Sequence, residues 1–150
     1  MSGDVVIGVG NSFRRDDGVG PAVAEEIARR ALPGVRVLLA TGEPGALLDA
    51  WNGAALAIVV DAAMGDGASP GRIRRWTPDE NRPPRVVSSH AIGLPEAFAL
   101  GEALGQLPDR LVGFSVDIVD AGHGVGMTAD VAAAIPGVVD AVLAELDHPM

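Results

Sequence analysis

Residues 6–23 read VIGVGNSFRRDDGVGPAV. An apolar, β-branched run leads into Gly8, Val9 and Gly10, and an amphipathic segment follows. Val19, Val23, Ile27 and Ala31 recur every fourth position, while Glu25, Glu26, Arg29 and Arg30 face away. This pattern is a strand, a glycine turn and a helix, with Pro21 in the first helical turn, where a missing N–H does no harm. The turn also carries two acids, Asp16 and Asp17, where a phosphate-binding loop would avoid negative charge.

The same reading extends along the chain. Pro33-Gly34 ends the helix and Val35–Ala40 is a second strand. Pro44–Trp51 is a short helix, and Ala55–Val60 is a third strand stopping on Asp61. A loop, AAMGDGASPG, leads to Arg72–Trp76, whose alternation suits an edge strand. RVVSSH follows and ends at His90; then come a helix within Gly93–Leu104, a strand at Leu111–Ile118, and a helix from Thr128 expected to bend at Pro136. Strands alternating with helices predict an α/β fold of one domain, residues 1–150. Its architecture is a three-layer α/β/α sandwich on a twisted, mostly parallel sheet of about five strands with one antiparallel edge strand. Such sheets bind ligands outside the carboxyl ends of their strands. Asp17 beyond the first strand, Asp61 at the end of the third and His90 after a short apolar run therefore belong to one edge.

Composition narrows the chemistry. The formal net charge is −9, and the 11 basic residues are all arginine, three of them at 72, 74 and 75. So acidic a surface repels a phosphate backbone, and no nucleic-acid partner is expected. Cysteine, lysine and tyrosine are absent, which excludes a thiol nucleophile, a Cys-ligated metal, a Schiff base and a phosphate-loop lysine. No apolar run approaches the roughly 20 residues of a membrane span. The opening MSGDVVIG lacks the basic flank and cleavage site of a signal peptide, so the expected location is the cytoplasm.

Three chemistries compete for the first turn and its partners. A dinucleotide site needs a third glycine at position 13, which is Phe13, and its pyrophosphate would meet Asp16 and Asp17. A serine nucleophile elbow at Gly113–Asp117 fails because Asp117 replaces the closing glycine and the segment reads as a strand. Two carboxylates and an imidazole, by contrast, form a partial shell for a divalent metal, whose charge removes the repulsion between the acids. Each residue also has an ordinary structural role: Asp17 as a helix cap, Asp61 as a polar strand stop, His90 as a loop residue beside a cap. His123, in a glycine-rich loop, is a secondary ligand candidate, and His148 near the chain end is not one.

Gly8–Val23, together with VVDA (Val59–Ala62), SSHAIGLPEAFAL (Ser88–Leu100) and GVGMTADV (Gly124–Val131), resembles the nickel–iron hydrogenase maturation endopeptidases. The resemblance runs through the chain in order. It implies a helix-covered twisted sheet and a peptidase that trims the C-terminal extension of a hydrogenase large-subunit precursor after nickel insertion. It also implies that Asp17, Asp61 and His90 are the catalytic, metal-contacting residues. The choice of Asp17 over Asp16 comes from the resemblance; spacing leaves both open. The chain departs from the family at SVDIVD, where Asp117 stands in place of a Glu or Gln followed by Pro, and at Arg14 and Arg15, expected to be solvated. A His-Glu-x-x-His helix is absent, which favours nickel carried by the substrate over a permanent zinc. The expected protein is a monomer that hydrolyses a peptide bond by activated water, a carboxylate base or a metal acting as Lewis acid. The alternative is a non-proteolytic, metal-binding chaperone for the same precursor.

Overall fold

The computed structural model describes residues 3–10, 18–41, 43–64, 69–78, 87–88, 94–118 and 127–146. In chain order the elements are β1 (Asp4–Val9), α1 (Val19–Arg29), β2 (Val35–Ala40), α2 (Pro44–Trp51), β3 (Leu56–Met64), β4 (Ile73–Trp76), β5 (Val87–Ser88), α3 (Leu94–Leu104), β6 (Arg110–Asp117) and α4 (Ala129–Leu146). Strand order is β2-β1-β3-β6-β4, with β5 attached to β3. The pairs β1–β2, β1–β3 and β3–β6 are parallel, and β4 closes one edge antiparallel to β6. The predicted edge strand is thus present. β5 adds a second antiparallel pair, of two residues, against Ala63 and Met64.

Side-chain alternation makes the layers. Val6, Ile58, Val60, Phe114 and Val116 pack under Val19, Val23 and Ile27 of α1 and Val131, Val138 and Val142 of α4. Val5, Ile7, Val9, Ala57 and Val59 pack against Leu47, Leu48 and Trp51 of α2 and Ala97 of α3. Each fully buried Val, Leu or Ile contributes roughly 1.5–3 kcal/mol, so both faces must be covered. Trp51 is fully buried, and its Nε1 donates to the Gln106 carbonyl at 2.8 Å, tying α2 to the segment that leads into β6. No helix among the described residues is long and apolar enough to cross a membrane.

Three boundaries differ from the sequence reading. The third strand does not stop at Val60; it runs to Met64, so Asp61 lies inside a strand and not at its end. The ladder with β6 carries it on, from Leu56↔Arg110 to Ala63↔Asp117. α1 ends at Arg29 because Ala31 adopts a left-handed φ of 48°, ahead of the Pro-Gly pair. α4 starts at Ala129, one residue after Thr128, and carries Pro136 inside one helix of 18 residues.

Candidate functional site

β3 is longer than the strand beside it. Pairing with β1 ends at Gly8↔Val60, whereas pairing with β6 continues through Asp61↔Ser115 to Ala63↔Asp117. Beyond Val60 the edge of β3 that β1 leaves is taken up by β5, because β6 holds the other edge. Asp61 therefore sits where the sheet steps from β1 to β5, at the carboxyl end of the parallel strands. It is half-buried, and alternation turns it to the side of Ala57 and Val59. Its Oδ1 accepts the backbone N–H of Ala62 at 2.8 Å. A carboxylate so placed is held on a strand laddered to β6, and a half-buried acid of this kind can bind a cation or accept a proton.

The first turn of α1 reaches the same step. Gly18 is the N-cap, without a side-chain capping bond, and no acid stands in the first helical turn. The cap position thus belongs to Gly18, and the reading of Asp17 as a helix cap lies outside the described residues. Gly8 allows the close approach of this helix: a Cβ there would lie 2.5 Å from the Gly20 carbonyl oxygen and 2.7 Å from the Ala24 Cβ. Asp17 itself, Asp16, His90, His123, His148, Arg14 and Arg15 lie outside the described residues. Of the three predicted site residues only Asp61 is described. Among the described residues no group of three or more His, Cys, Asp or Glu side chains could hold a metal.

The sequence reading missed a second feature of this edge. Asp117, the last residue of β6, is fully buried, and Arg74 of β4 grips it with two bonds. Oδ2 also accepts the N–H of Ser69 at 3.0 Å, and the Asp117 backbone bonds Gly71 and Arg72. Asp117 so joins β6, β4 and the residues leading into β4. Its chemistry is that of a closed ion pair, with no oxygen left for a substrate. The alternation of IRRW, which turns residue 74 opposite to its neighbours, was the available signal. Ser115 stands beside Asp61 within a strand, in agreement with rejection of the serine elbow.

The family model HycI, described as hydrogenase maturation protease, matches residues 21–145. The chain is 32% identical over 114 residues to the hydrogenase expression/formation protein HupD of Bradyrhizobium diazoefficiens; the match covers 72% of this chain and 58% of the length of that relative. Among solved structures, an endopeptidase from Escherichia coli superposes with a TM-score of 0.83 at 26% identity, covering 97% of this chain and 92% of that one. The [NiFe] hydrogenase maturation protease HybD from Thermococcus kodakarensis superposes with a TM-score of 0.77 at 20% identity, over 98% of this chain and 100% of that one, a likeness of fold.

Proposed function

Given that this chain belongs to the hydrogenase maturation protease family, we propose that it is an endopeptidase acting on a nickel–iron hydrogenase large-subunit precursor. It removes the precursor's C-terminal extension after nickel has been inserted, working in the cytoplasm as a monomer. Asp17, Asp61 and His90 contact the nickel that the precursor carries. The ion reports that the substrate is complete, and its fixed ligand geometry aligns the scissile bond, a positioning effect that supplies several kcal/mol. Hydrolysis then proceeds by activated water, since the chain has no thiol and no lysine to serve as nucleophile.

The observation that carries this reading is the position of Asp61 at the step between β1 and β5. Two chain segments lead to that step. Asp17 immediately precedes Gly18, the cap of the helix that packs on the end of β1. Ser88, the last described residue of β5, pairs with Ala63, and His90 follows it by two positions in the sequence. Oxygen and imidazole donors with no sulfur form a set that suits a borderline divalent cation such as nickel.

The test is to incubate nickel-loaded precursor with the purified protein and weigh the precursor by mass spectrometry. The expected result is loss of the C-terminal extension, absent when the precursor lacks nickel. An unchanged mass, with a stable complex, would replace the peptidase with the chaperone.

A further inference from the structure

The two edges of the sheet are built differently. β4 spans four residues, carries Arg74 and Arg75, and opens on a bulge. There Gly71, at φ 87°, donates its N–H to the Asp117 carbonyl, and Asp117 donates its own to the Arg72 carbonyl, so two residues face one. Shortness, charge and a bulge are the devices that keep an edge strand from pairing with another chain. β2, at the other edge, lacks all three. It is six residues long, VRVLLA, with one charge, no proline and a regular ladder to β1 from Asp4↔Val35 to Val9↔Ala40.

The phase of that ladder shows what the outer side offers. Asp4 donates to the Gly34 carbonyl and Gly10 to the Ala40 carbonyl. The backbone groups of residues 36, 38 and 40 therefore face β1, and those of 35, 37 and 39 face away. The Val35 N–H is taken by the Leu32 carbonyl at 3.3 Å. Val37 and Leu39 keep N–H and C=O turned outward, with no strand beyond them among the described residues. Leu39 is also the most exposed large apolar side chain among those residues, at 59%. It stands on the side of Val35 and Val37. On the other side Arg36 is exposed and makes no ion pair among the described residues.

We propose that the outer edge of β2 docks an extended peptide segment as one more strand, and that this segment is the precursor's C-terminal extension. The proposal rests on the peptidase reading given under Proposed function. Open N–H and C=O groups in register are matched by another extended backbone, and alternate side chains then select the sequence. The matching segment is apolar beside Val37 and Leu39 and acidic beside Arg36. Strand spacing sets the reach. Val9 pairs with Ala40 and Gly8 with Val60, so Ala40, Val9 and Asp61 stand at one level of the sheet. With β1 between β2 and β3, an added strand lies three spacings from β3, about 14 Å, which roughly four to five extended residues cross. Docking at β2 thus holds the extension near the cleaved bond without occupying the step at Asp61.

The test uses the full chain and a synthetic peptide of the precursor's C-terminal extension, with amide hydrogen exchange read by NMR. In the free chain Val37 and Leu39 are expected to exchange fast, and Arg36, Leu38 and Ala40 slowly. The peptide is expected to slow Val37 and Leu39 at least about tenfold. Val37→Pro removes one outward N–H at an edge, where proline is tolerated, and leaves the ladder to β1 intact. It is expected to weaken peptide binding about tenfold and to raise KM for the nickel-loaded precursor while kcat holds. Should it fail to fold, Leu39→Lys puts a charge on the open edge at an exposed position and is expected to act likewise. Arg36→Ser is expected to weaken binding severalfold at low salt and not at high salt; unchanged affinity would strike the acidic side from the proposal. Wild-type affinity in Val37→Pro, or in Leu39→Lys where that variant stands in for it, would overturn the docking. So would peptide binding that leaves both amides exchanging freely. Protection that grows with protein concentration in the absence of peptide would assign the edge to a second copy of this chain, and also overturn it. Cleavage of the precursor by a chain whose edge stays open removes the docking alone. A wild-type chain that leaves the nickel-loaded precursor uncut removes the peptidase reading, and the docking with it.

Discussion

Arg74 holds Asp117 through two bonds, Nε to Oδ1 at 3.0 Å and Nη2 to Oδ2 at 3.2 Å, across the antiparallel pair that closes the sheet. The carboxylate is wholly buried, whereas the arginine side chain is 21% exposed. The two partners therefore have unequal fates when separated. Arg74→Met leaves a buried carboxylate with only the Ser69 N–H as a described side-chain partner, a loss of about 3–5 kcal/mol. Asp117→Asn keeps an acceptor and leaves behind a cation that reaches water, so its cost is smaller. The double variant Arg74→Met/Asp117→Leu is expected to recover most of the loss, because burying two charges is itself unfavourable. Urea midpoints of the three variants check the order.

Asp61→Asn preserves an oxygen able to accept the Ala62 N–H, removes the charge and turns the other oxygen into an N–H donor. Processing of the nickel-loaded precursor should fall by at least about 100-fold, while stability moves by less than about 1 kcal/mol. Asp17→Asn and His90→Ala are expected to lose processing likewise. Single-turnover cleavage followed by mass, alongside thermal melts, separates lost chemistry from lost fold. Normal cleavage by any one variant removes that residue from the site.

Ala31 closes α1 with φ at 48°, a left-handed conformation that a Cβ disfavours by about 1–2 kcal/mol. Ala31→Gly relieves that strain but frees the unfolded chain by about 0.4–1 kcal/mol. A net gain of about 0.5–1 kcal/mol follows. Calorimetry should show a rise of roughly 2–4 °C per kcal/mol in a domain of this size, with processing unchanged.

Glu26 accepts hydrogen bonds from Arg29, and that bond, then the charge of Arg29 and that of Arg30, hold its carboxyl below the ordinary 4.5. A carboxyl depressed in the folded state stabilises above its unfolded value and ceases to as pH falls through the folded one. The stability difference between wild type and Glu26→Gln should be constant near neutrality and shrink below about pH 4.5. The pair is exposed, so the difference should also be small and weaken with salt. A difference that grows in acid would contradict the assigned cause.

Much of the scaffold could be read from residues alone. Val35–Ala40 and Pro44–Trp51 are located to the residue, because apolar runs there are bounded by glycine, proline or a capping position. The far half of β3 could not be read. Ala62 and Ala63 favour strands weakly and precede a glycine-rich loop, and only the distant ladder to β6 makes them extended. The same tertiary cause hid Asp117, whose burial depends on an arginine 43 positions away. At the site, strand-end logic located Asp61 near the ligand edge, but local spacing could not rank Asp16 against Asp17.

A carboxylate borne on a tip of loop can follow whatever it binds, and a series of ions of differing radius would all be accommodated at modest expense. Asp61 stands instead on strand backbone laddered to β6, so under the proposed reading its oxygen positions behave as one jaw of a caliper whose setting is part of the sheet. Drift toward a new cargo in descendants of this protein would then have to come from the opposing jaw, through changes near the start of α1, while residue 61 and its flanks stayed constant.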